Sequence, residues 1–231
     1  MRSVRFRRLG LLALVGVLAL AGCAHSPSQA LRVGDVTLDN AQVEAMAAPF
    51  AQALTTNATD VTDPVAKVRQ SVVQLSIFKE IARRFALEKG VTPAAPDYAG
   101  VAQSLGVGQD DPYARLNAEA GAYLTALRDN ATARTPTDAE LQDVYDQYLA
   151  LAGQNAASMD EVSQQLLALP EYGQSLALRD ELTDAIGRYG VTVNPRYQPL
   201  TFPLLVVADG QLTLVSLPLG DQGTGAVRSA S

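Results

Sequence analysis

Hydrophobic side chains recur at three- and four-residue steps across Pro64–Lys89, the longest stretch of the chain with a clear helical period. The apolar stripe consists of Val65, Val68, Val72, Leu75, Phe78, Ile81, Ala82 and Phe85. Asp63 suits the N-cap, Pro64 suits the first helical position, and Gly90 suits the stop. The pattern predicts a long amphipathic helix whose buried face organises the packing of the other elements.

Weaker patterns of the same period predict helices on both sides of this one. The predicted ranges are residues 39–54, a short helix between residues 91 and 111, and residues 112–133, 137–153, 160–169 and 171–189. Two of these helices begin with the sequence of a capping box, Asp39 with Gln42 and Thr137 with Glu140. The fold class is therefore expected to be mainly α.

Alternating patterns predict β-structure only near the two ends of the folded region. Residues 31–38 alternate around Gly34-Asp35, which predicts a short strand with a tight turn. Near the other end, Asp209-Gly210 separates two β-prone runs, residues 202–208 and 211–217. An Asp-Gly pair between two such runs is a strong hairpin signal, so a C-terminal hairpin is expected.

Composition agrees with one helical domain. The chain has 231 residues, 48% of them hydrophobic, which is enough for a single domain with a sizeable core. Aromatic residues make up only 6%, Trp is absent, and Ala and Leu are abundant. Such a composition favours helices over strands.

The first residues have the pattern of an export signal. Four arginines precede an apolar run over residues 9–21, which is shorter than the roughly 20 residues needed to span a bilayer. The sequence Leu20-Ala21-Gly22-Cys23 then resembles the lipobox of bacterial lipoproteins. This resemblance implies cleavage before Cys23 and attachment of lipid to its thiol. The alternative is an ordinary signal peptide followed by an incidental cysteine.

Two further observations bear on the compartment and on the partners. Cys23 is the only cysteine, so in an exported chain it has no disulfide partner within the molecule. Removing the four arginines of residues 1–22 from the 18 basic residues leaves 14 against 24 acidic ones, a formal charge of −10. That sign argues against nucleic acid and against an electrostatic footprint on anionic lipid, so the expected membrane attachment is covalent.

Little catalytic chemistry is available in this sequence. Nucleophilic triads and zinc sites need His or Cys, and the chain has one of each, His25 and Cys23, two residues apart. Asp110-Asp111 and the pair Asp138 and Glu140 have an acid–base or calcium interpretation, but a solvated loop or helix start is favoured. We therefore expect no enzyme activity, no metal and no cofactor.

Two groups of residues have a structural and a functional interpretation. Helical spacing of the tyrosines favours core or half-buried positions, and the alternative is that they line a peptide-binding groove; they are Tyr113, Tyr123, Tyr145 and Tyr148. The sequence Asn194-Pro195-Arg196-Tyr197 favours a turn in which Arg196 meets a carboxylate.

Three stretches, taken in order, resemble the N-terminal chaperone module of SurA and of PrsA-type foldase lipoproteins, which is related to the substrate-binding part of trigger factor. They are the strand at residues 33–37 leading into the Asp39 helix, the helix end at residues 86–91, and the helix start at residues 137–141 with Tyr145. The resemblance covers residues 31–149. It implies a helical module in which the last segment returns, so that the C-terminal hairpin pairs with the N-terminal strand in one small antiparallel sheet.

The chain departs from that family after the Tyr145 helix. In the foldases a parvulin-type isomerase domain with core histidines follows, whereas here further helices are predicted at once. At most the holding function therefore carries over. The expected organisation is a signal peptide (residues 1–22), a lipidated tether (23–30), the helical domain (31–219) and a disordered tail (220–231).

Two functions follow as expectations. The first is chaperone-like binding of exported, unfolded or partly folded polypeptides by a lipoprotein on the extracytoplasmic face of the bacterial cell membrane. The second is a scaffold or interaction lipoprotein that binds one specific partner. An exposed apolar cleft favours the first function, and a flat, charged surface favours the second.

Overall fold

The computed structural model describes residues 28–57, 63–153, 156–207 and 212–220. The chain is mainly helical, with 65% helix and two small antiparallel sheets, so the predicted fold class is confirmed. In chain order the elements are β1 (Gln29–Val33), β2 (Val36–Asp39), α1 (Asn40–Asn57), α2 (Pro64–Lys89), α3 (Tyr98–Leu105), α4 (Pro112–Asn130), α5 (Asp138–Ala152), α6 (Met159–Leu167), α7 (Pro170–Tyr189), β3 (Val191–Val193), a 3₁₀ turn (Pro195–Tyr197), β4 (Thr201–Val207) and β5 (Leu212–Pro218).

Helix α2 lies at the centre of the core, with the predicted bounds and caps. The Asp63 carboxylate accepts a hydrogen bond from the Ala66 N–H at 3.0 Å, and Gly90 ends the helix in the left-handed conformation, with φ 68°. Eleven of its residues are buried: Val68, Val72, Val73, Leu75, Ile77, Phe78, Glu80, Ile81, Ala82, Phe85 and Ala86. This face contacts α1, α4, α7 and both sheets.

Aromatic stacking joins α2 and α1 to their neighbours. The Phe78 ring on α2 stacks on Phe202 of β4 with ring centroids 3.7 Å apart. Phe50 on α1 stacks on Tyr113 of α4 with centroids 4.4 Å apart. Helix α1 begins with the predicted capping box, because the Asp39 and Gln42 side chains each accept the other residue's N–H, at 2.8 and 2.9 Å.

Two helices end earlier than predicted. Helix α4 stops at Asn130, since Ala131 is extended and the chain then crosses to α7, where the Arg134 N–H donates to the Gly173 carbonyl at 3.2 Å. Helix α6 stops at Leu167, because Pro170 begins α7 and disfavours helical backbone at the residue before it.

The predicted pairing of the C-terminal hairpin with the N-terminal strand is wrong. Strand β1 instead pairs with β2, through a tight turn, and with β3, in the order β2-β1-β3. Strand β3 occupies this position because Gly190, with φ 66°, turns the chain directly after α7. Strands β4 and β5 pair only with each other among the described residues, and they pack on α7.

The two ends of the described chain nevertheless lie together. The N–H of Asn194, directly after β3, donates to the Ala30 carbonyl of β1 at 2.9 Å. A Cβ atom added at Gly220, after β5, would lie 3.2 Å from the Val193 side chain of β3. The N-terminal sheet and the hairpin therefore meet at β3 through side chains, without a shared backbone ladder.

Several sequence expectations lie outside the described residues. They are the signal peptide (1–22), Cys23, His25, the Asp209-Gly210 turn and residues 221–231 of the tail. Within the described ranges, no helix combines the length and apolarity that crossing a membrane requires.

Candidate binding surface

Helices α5 and α6 begin at caps encoded by a few adjacent residues. The Thr137 N–H donates to Glu140 at 2.8 Å and the Glu140 N–H donates to the Thr137 hydroxyl at 3.3 Å, which completes the predicted capping box. Ser158 and Glu161 form a second box at α6, with distances of 2.9 and 3.3 Å. This second box was not predicted, although Ser158 and Glu161 have the same spacing as Thr137 and Glu140.

These two helices bury little of their apolar surface. Val144 is the only buried residue of α5, and Val162 and Leu166 are the buried residues of α6. Seven large hydrophobic side chains are exposed among the described residues, and four of them lie on α5, on α6 or directly after α6: Leu149 (37% exposed), Leu151 (54%), Leu167 (56%) and Leu169 (38%). More than half of the exposed large hydrophobic side chains of the described residues therefore belong to this part of the chain.

Tyr145 and Tyr148 lie on α5 near these leucines in sequence, and both are half-buried. The Tyr145 hydroxyl donates to the Ala157 carbonyl at 3.2 Å, and the Ala157 N–H donates to the Tyr148 hydroxyl at 3.0 Å. Their ring centroids are 6.4 Å apart. The pair therefore holds the segment before α6 against α5 and leaves part of each ring accessible.

Tyr113 and Tyr123 lie in two other environments. Tyr113 stacks on Phe50, and burial raises the pKa of its hydroxyl, which indicates a structural position. Tyr123 lines a cavity of about 380 Å³ between α2, α4 and the segment from Pro93 to Pro96. The structure thus brings together Tyr145 and Tyr148 but not all four tyrosines.

The surface between α2 and α4 is not an open apolar cleft. These helices pack directly on each other, and the cavity beside Tyr123 carries Lys79, Arg83 and Glu119 at its rim. Lys79 and Glu119 form an ion pair at 2.8 Å. The lining of this cavity therefore combines an ion pair with apolar residues from Pro93 to Pro96.

An ion network fixes the start of α5 to α7. Arg134 donates to Glu140 at 2.6 Å and to Asp180 at 2.7 Å, and Arg179 donates to both carboxylates. The hydrogen bonds from Arg134 hold the pKa of Glu140 well below its ordinary value. The Glu140 side chain is only 16% exposed, so its ionisation depends on the two arginines.

A polar groove of about 260 Å³ lies between α5, α7 and β5, beside this network. It is lined by Glu140, Asp143, Arg179 and residues of β5. Tyr172 lies beneath it, 1% exposed, with no hydrogen-bond partner for its hydroxyl among the described residues. Burial raises the pKa of this hydroxyl, so it stays protonated at neutral pH.

The remaining candidate residues have structural roles. Asp111 caps α4 by accepting the N–H groups of Tyr113 and Ala114, so the loop interpretation of Asp110-Asp111 fits better than a calcium site. Arg196 donates to the Tyr197 hydroxyl and lies 4.7 Å from its ring centroid; it forms no ion pair within the described ranges, contrary to the predicted carboxylate contact. The described residues contain no group of three or more potential metal ligands.

Comparisons of the chain with protein-family models, with curated proteins and with solved structures found no match. The resemblance to the SurA and PrsA chaperone module therefore stays a prediction from the sequence.

Proposed function

We propose that this protein is a bacterial lipoprotein, anchored through Cys23 on the extracytoplasmic face of the cell membrane, that binds exported unfolded polypeptides without isomerase activity. The observation that carries the proposal is the set of exposed leucines at α5 and α6. Apolar side chains left in water attract the apolar segments that an unfolded chain exposes.

The attachment of α5 and α6 also suits this role. With three buried side chains between them, these helices pack on the body mainly through half-buried residues such as Leu141, Tyr145 and Tyr148, and the Glu140 network adds to the attachment of α5. Segments with few buried apolar contacts open locally at low free-energy cost. A surface that adjusts in this way accepts many client sequences, as a general holding protein requires.

The test is suppression of client aggregation by the mature chain, residues 23–231, carrying Cys23→Ser so that no lipid is attached. A reduced, unfolded secreted protein such as α-lactalbumin serves as client, and light scattering reports its aggregation. Leu151→Ser and Leu167→Ser are expected to weaken suppression. Leu87→Ser is the matched control, because Leu87 is 77% exposed but lies on α2.

The control protein is expected to suppress aggregation as the unsubstituted chain does, and circular dichroism checks that all variants remain folded. If the unsubstituted chain leaves client aggregation unchanged at severalfold molar excess, the proposal has to be abandoned. Equal suppression of aggregation by all three leucine variants would rule out α5 and α6 as the binding surface.

A second function, binding of one specific partner by a scaffold lipoprotein, is favoured by a different observation. The groove beside Glu140 is lined largely by charged and polar side chains, which suit one complementary surface better than many clients. This function predicts one stoichiometric partner in a gentle pull-down and no affinity for unfolded chains in general.

A further inference from the structure

A cavity of about 750 Å³ lies where α1, α2 and the 3₁₀ turn meet. Residues of the first turns of α1 and α2 line it, together with Arg196, Tyr197 and Gln198. Both helix starts are already capped, by the Asp39 and Asp63 carboxylates, so the charge of this cavity depends on the side chains that line it.

Three basic side chains from three segments of the chain line this cavity: Lys67, Arg69 and Arg196. Among the described residues Glu44 is the only carboxylate in the lining, and it is paired with Arg69. Within the same ranges Lys67 forms no ion pair, and Arg196 forms none either. The hydrogen bond from Arg69 lowers the pKa of Glu44, and the charge of Arg196 helps to lower it. The nearby Asp63 carboxylate is used as the cap of α2. The lining therefore carries an excess of positive charge.

Hydrogen bonds connect the segments that line the cavity. The Tyr197 hydroxyl donates to the Asn40 side chain at 3.1 Å, and Tyr197 itself is 6% exposed. The Gln70 side chain donates to the Tyr197 and Pro199 carbonyls at 3.3 and 3.2 Å. These bonds tie the 3₁₀ turn to both helices, so Arg196 is carried on a positioned segment.

The charge of the cavity lining is opposite in sign to the net charge of the chain, which is formally −6. An acidic protein that gathers three cations around one concavity concentrates positive potential there. Arginine and lysine in such an arrangement suit the oxygens of a phosphate group, which the planar guanidinium binds with two parallel hydrogen bonds.

One wall of the cavity is hydrogen-bonded to a residue close in sequence to Cys23, which suggests the source of that phosphate. Asn40 lines the cavity, and its N–H donates to the Ser28 carbonyl at 2.8 Å. Ser28 is the fifth residue after Cys23, a reach of at most about 17 Å. A lipid on Cys23 would therefore place the cavity within reach of the phospholipid headgroups.

We propose that the cavity lined by Lys67, Arg69 and Arg196 binds a phosphate group, supplied by the headgroup of an anionic phospholipid when the protein is at the membrane. The lipid source rests on the proposed anchor at Cys23, whereas the phosphate site itself does not. Bound in this way, the body is oriented on the membrane by a second contact besides the acyl chains.

The experiment uses the mature chain with Cys23→Ser and vesicles of phosphatidylcholine, alone or mixed with phosphatidylglycerol. Flotation measures binding for this chain, for Lys67→Gln/Arg196→Gln, and for the control Lys89→Gln/Arg188→Gln, which loses the same charge from ion pairs outside the cavity. Binding to the mixed vesicles is expected, and the cavity variant should lose it by about 30-fold, since each basic residue near an anionic surface contributes about fivefold.

A second arm titrates inorganic phosphate into the same three proteins and follows amide NMR signals of residues 66–70 and 196–198. Saturable shifts that the cavity variant loses and the control keeps would support the site with a free phosphate as its source, even without vesicle binding. Equal behaviour of both variants in both arms, or no response of the unsubstituted chain, would overturn the proposal. The cavity variant should suppress client aggregation normally, so failure of the holding function and failure of this site are distinguishable.

Discussion

Helices α2 and α5 are held in place by different forces. Eleven of the 26 residues of α2 are buried, including the stacked ring of Phe78, whereas Val144 is the only buried residue among the 15 of α5. Helix α5 is attached instead by half-buried side chains and by the Glu140 network. One chain thus combines a body stabilised by apolar burial with a less buried helix, α5, whose attachment includes an ion network.

The two forces respond differently to conditions. Apolar burial is non-directional and has no pH dependence of its own, while ion pairs weaken when a partner is neutralised or when salt screens it. Local opening should therefore begin at α5 and α6, where the exposed leucines lie, and leave α2 protected.

The largest effect is expected from Phe78→Ala. The substitution removes a fully buried ring and its stack with Phe202, so it should lower the free energy of unfolding by about 3–5 kcal/mol. Urea unfolding followed by circular dichroism measures this. Leu87→Ala on the same helix is the control, expected within about 0.5 kcal/mol of the unsubstituted chain. Similar costs at both positions would contradict the central role of the α2 core face.

Glu140→Gln should have the next largest effect, and a local one. It leaves Arg134 and Arg179 without their shared carboxylate, at a cost of roughly 2 kcal/mol for a partly buried ion network. Hydrogen exchange should accelerate in α5 and α6 and stay unchanged in α2. Asp143→Asn removes the same charge from the same helix without touching the network, and it should exchange like the unsubstituted chain. Equal acceleration in all helices would show that α5 is not independently attached.

The pH dependence follows from the same carboxyl group. Arg134 holds the folded-state pKa of Glu140 below the ordinary value of 4.5, so its contribution to stability is present above pH 4.5 and is lost as pH falls toward the folded pKa. The stability difference between the unsubstituted chain and Glu140→Gln should therefore shrink on acidification. A series of urea unfolding curves at decreasing pH measures it. A difference that stays constant would mean that Glu140 is not ionised in the network.

The smallest effect is expected at the caps. Thr137→Ala and Ser158→Ala should each cost about 1 kcal/mol, because each removes the acceptor for an N–H group in the first turn of its helix. Thr125→Ala, at an exposed position inside α4, is the control and should be neutral or slightly stabilising. Urea unfolding compares the three variants, and an equal cost at Thr125 would contradict the capping argument.

Local structure could be predicted from the sequence wherever neighbouring residues determine it. The bounds of α2 follow from Asp63, Pro64 and Gly90, which lie next to the turns that they start or stop. The capping boxes at Asp39 and Thr137 were predicted for the same reason. The fold class followed from the number and length of such segments.

The features that were predicted wrongly, or not predicted, depend on contacts between residues distant in sequence. Both β3 and the C-terminal hairpin had patterns able to pair with β1, and only the turn at Gly190 brings β3 to that position. The Glu140 network joins Arg134 to Arg179 and Asp180, which no local pattern connects. The exposure of Leu151 and Leu167 could not be predicted either, since an apolar stripe on a helix does not show whether another element covers it.

The central claim is that polypeptide binds at α5 and α6 while the α2 body stays unchanged. Hydrogen exchange of the mature chain, with and without the reduced, unfolded client, tests it most directly. Bound client is expected to slow amide hydrogen exchange in residues 138–167 and to leave the exchange rates of residues 64–89 unchanged. Slowing confined to α2, or no slowing anywhere in the chain at saturating client, would contradict it.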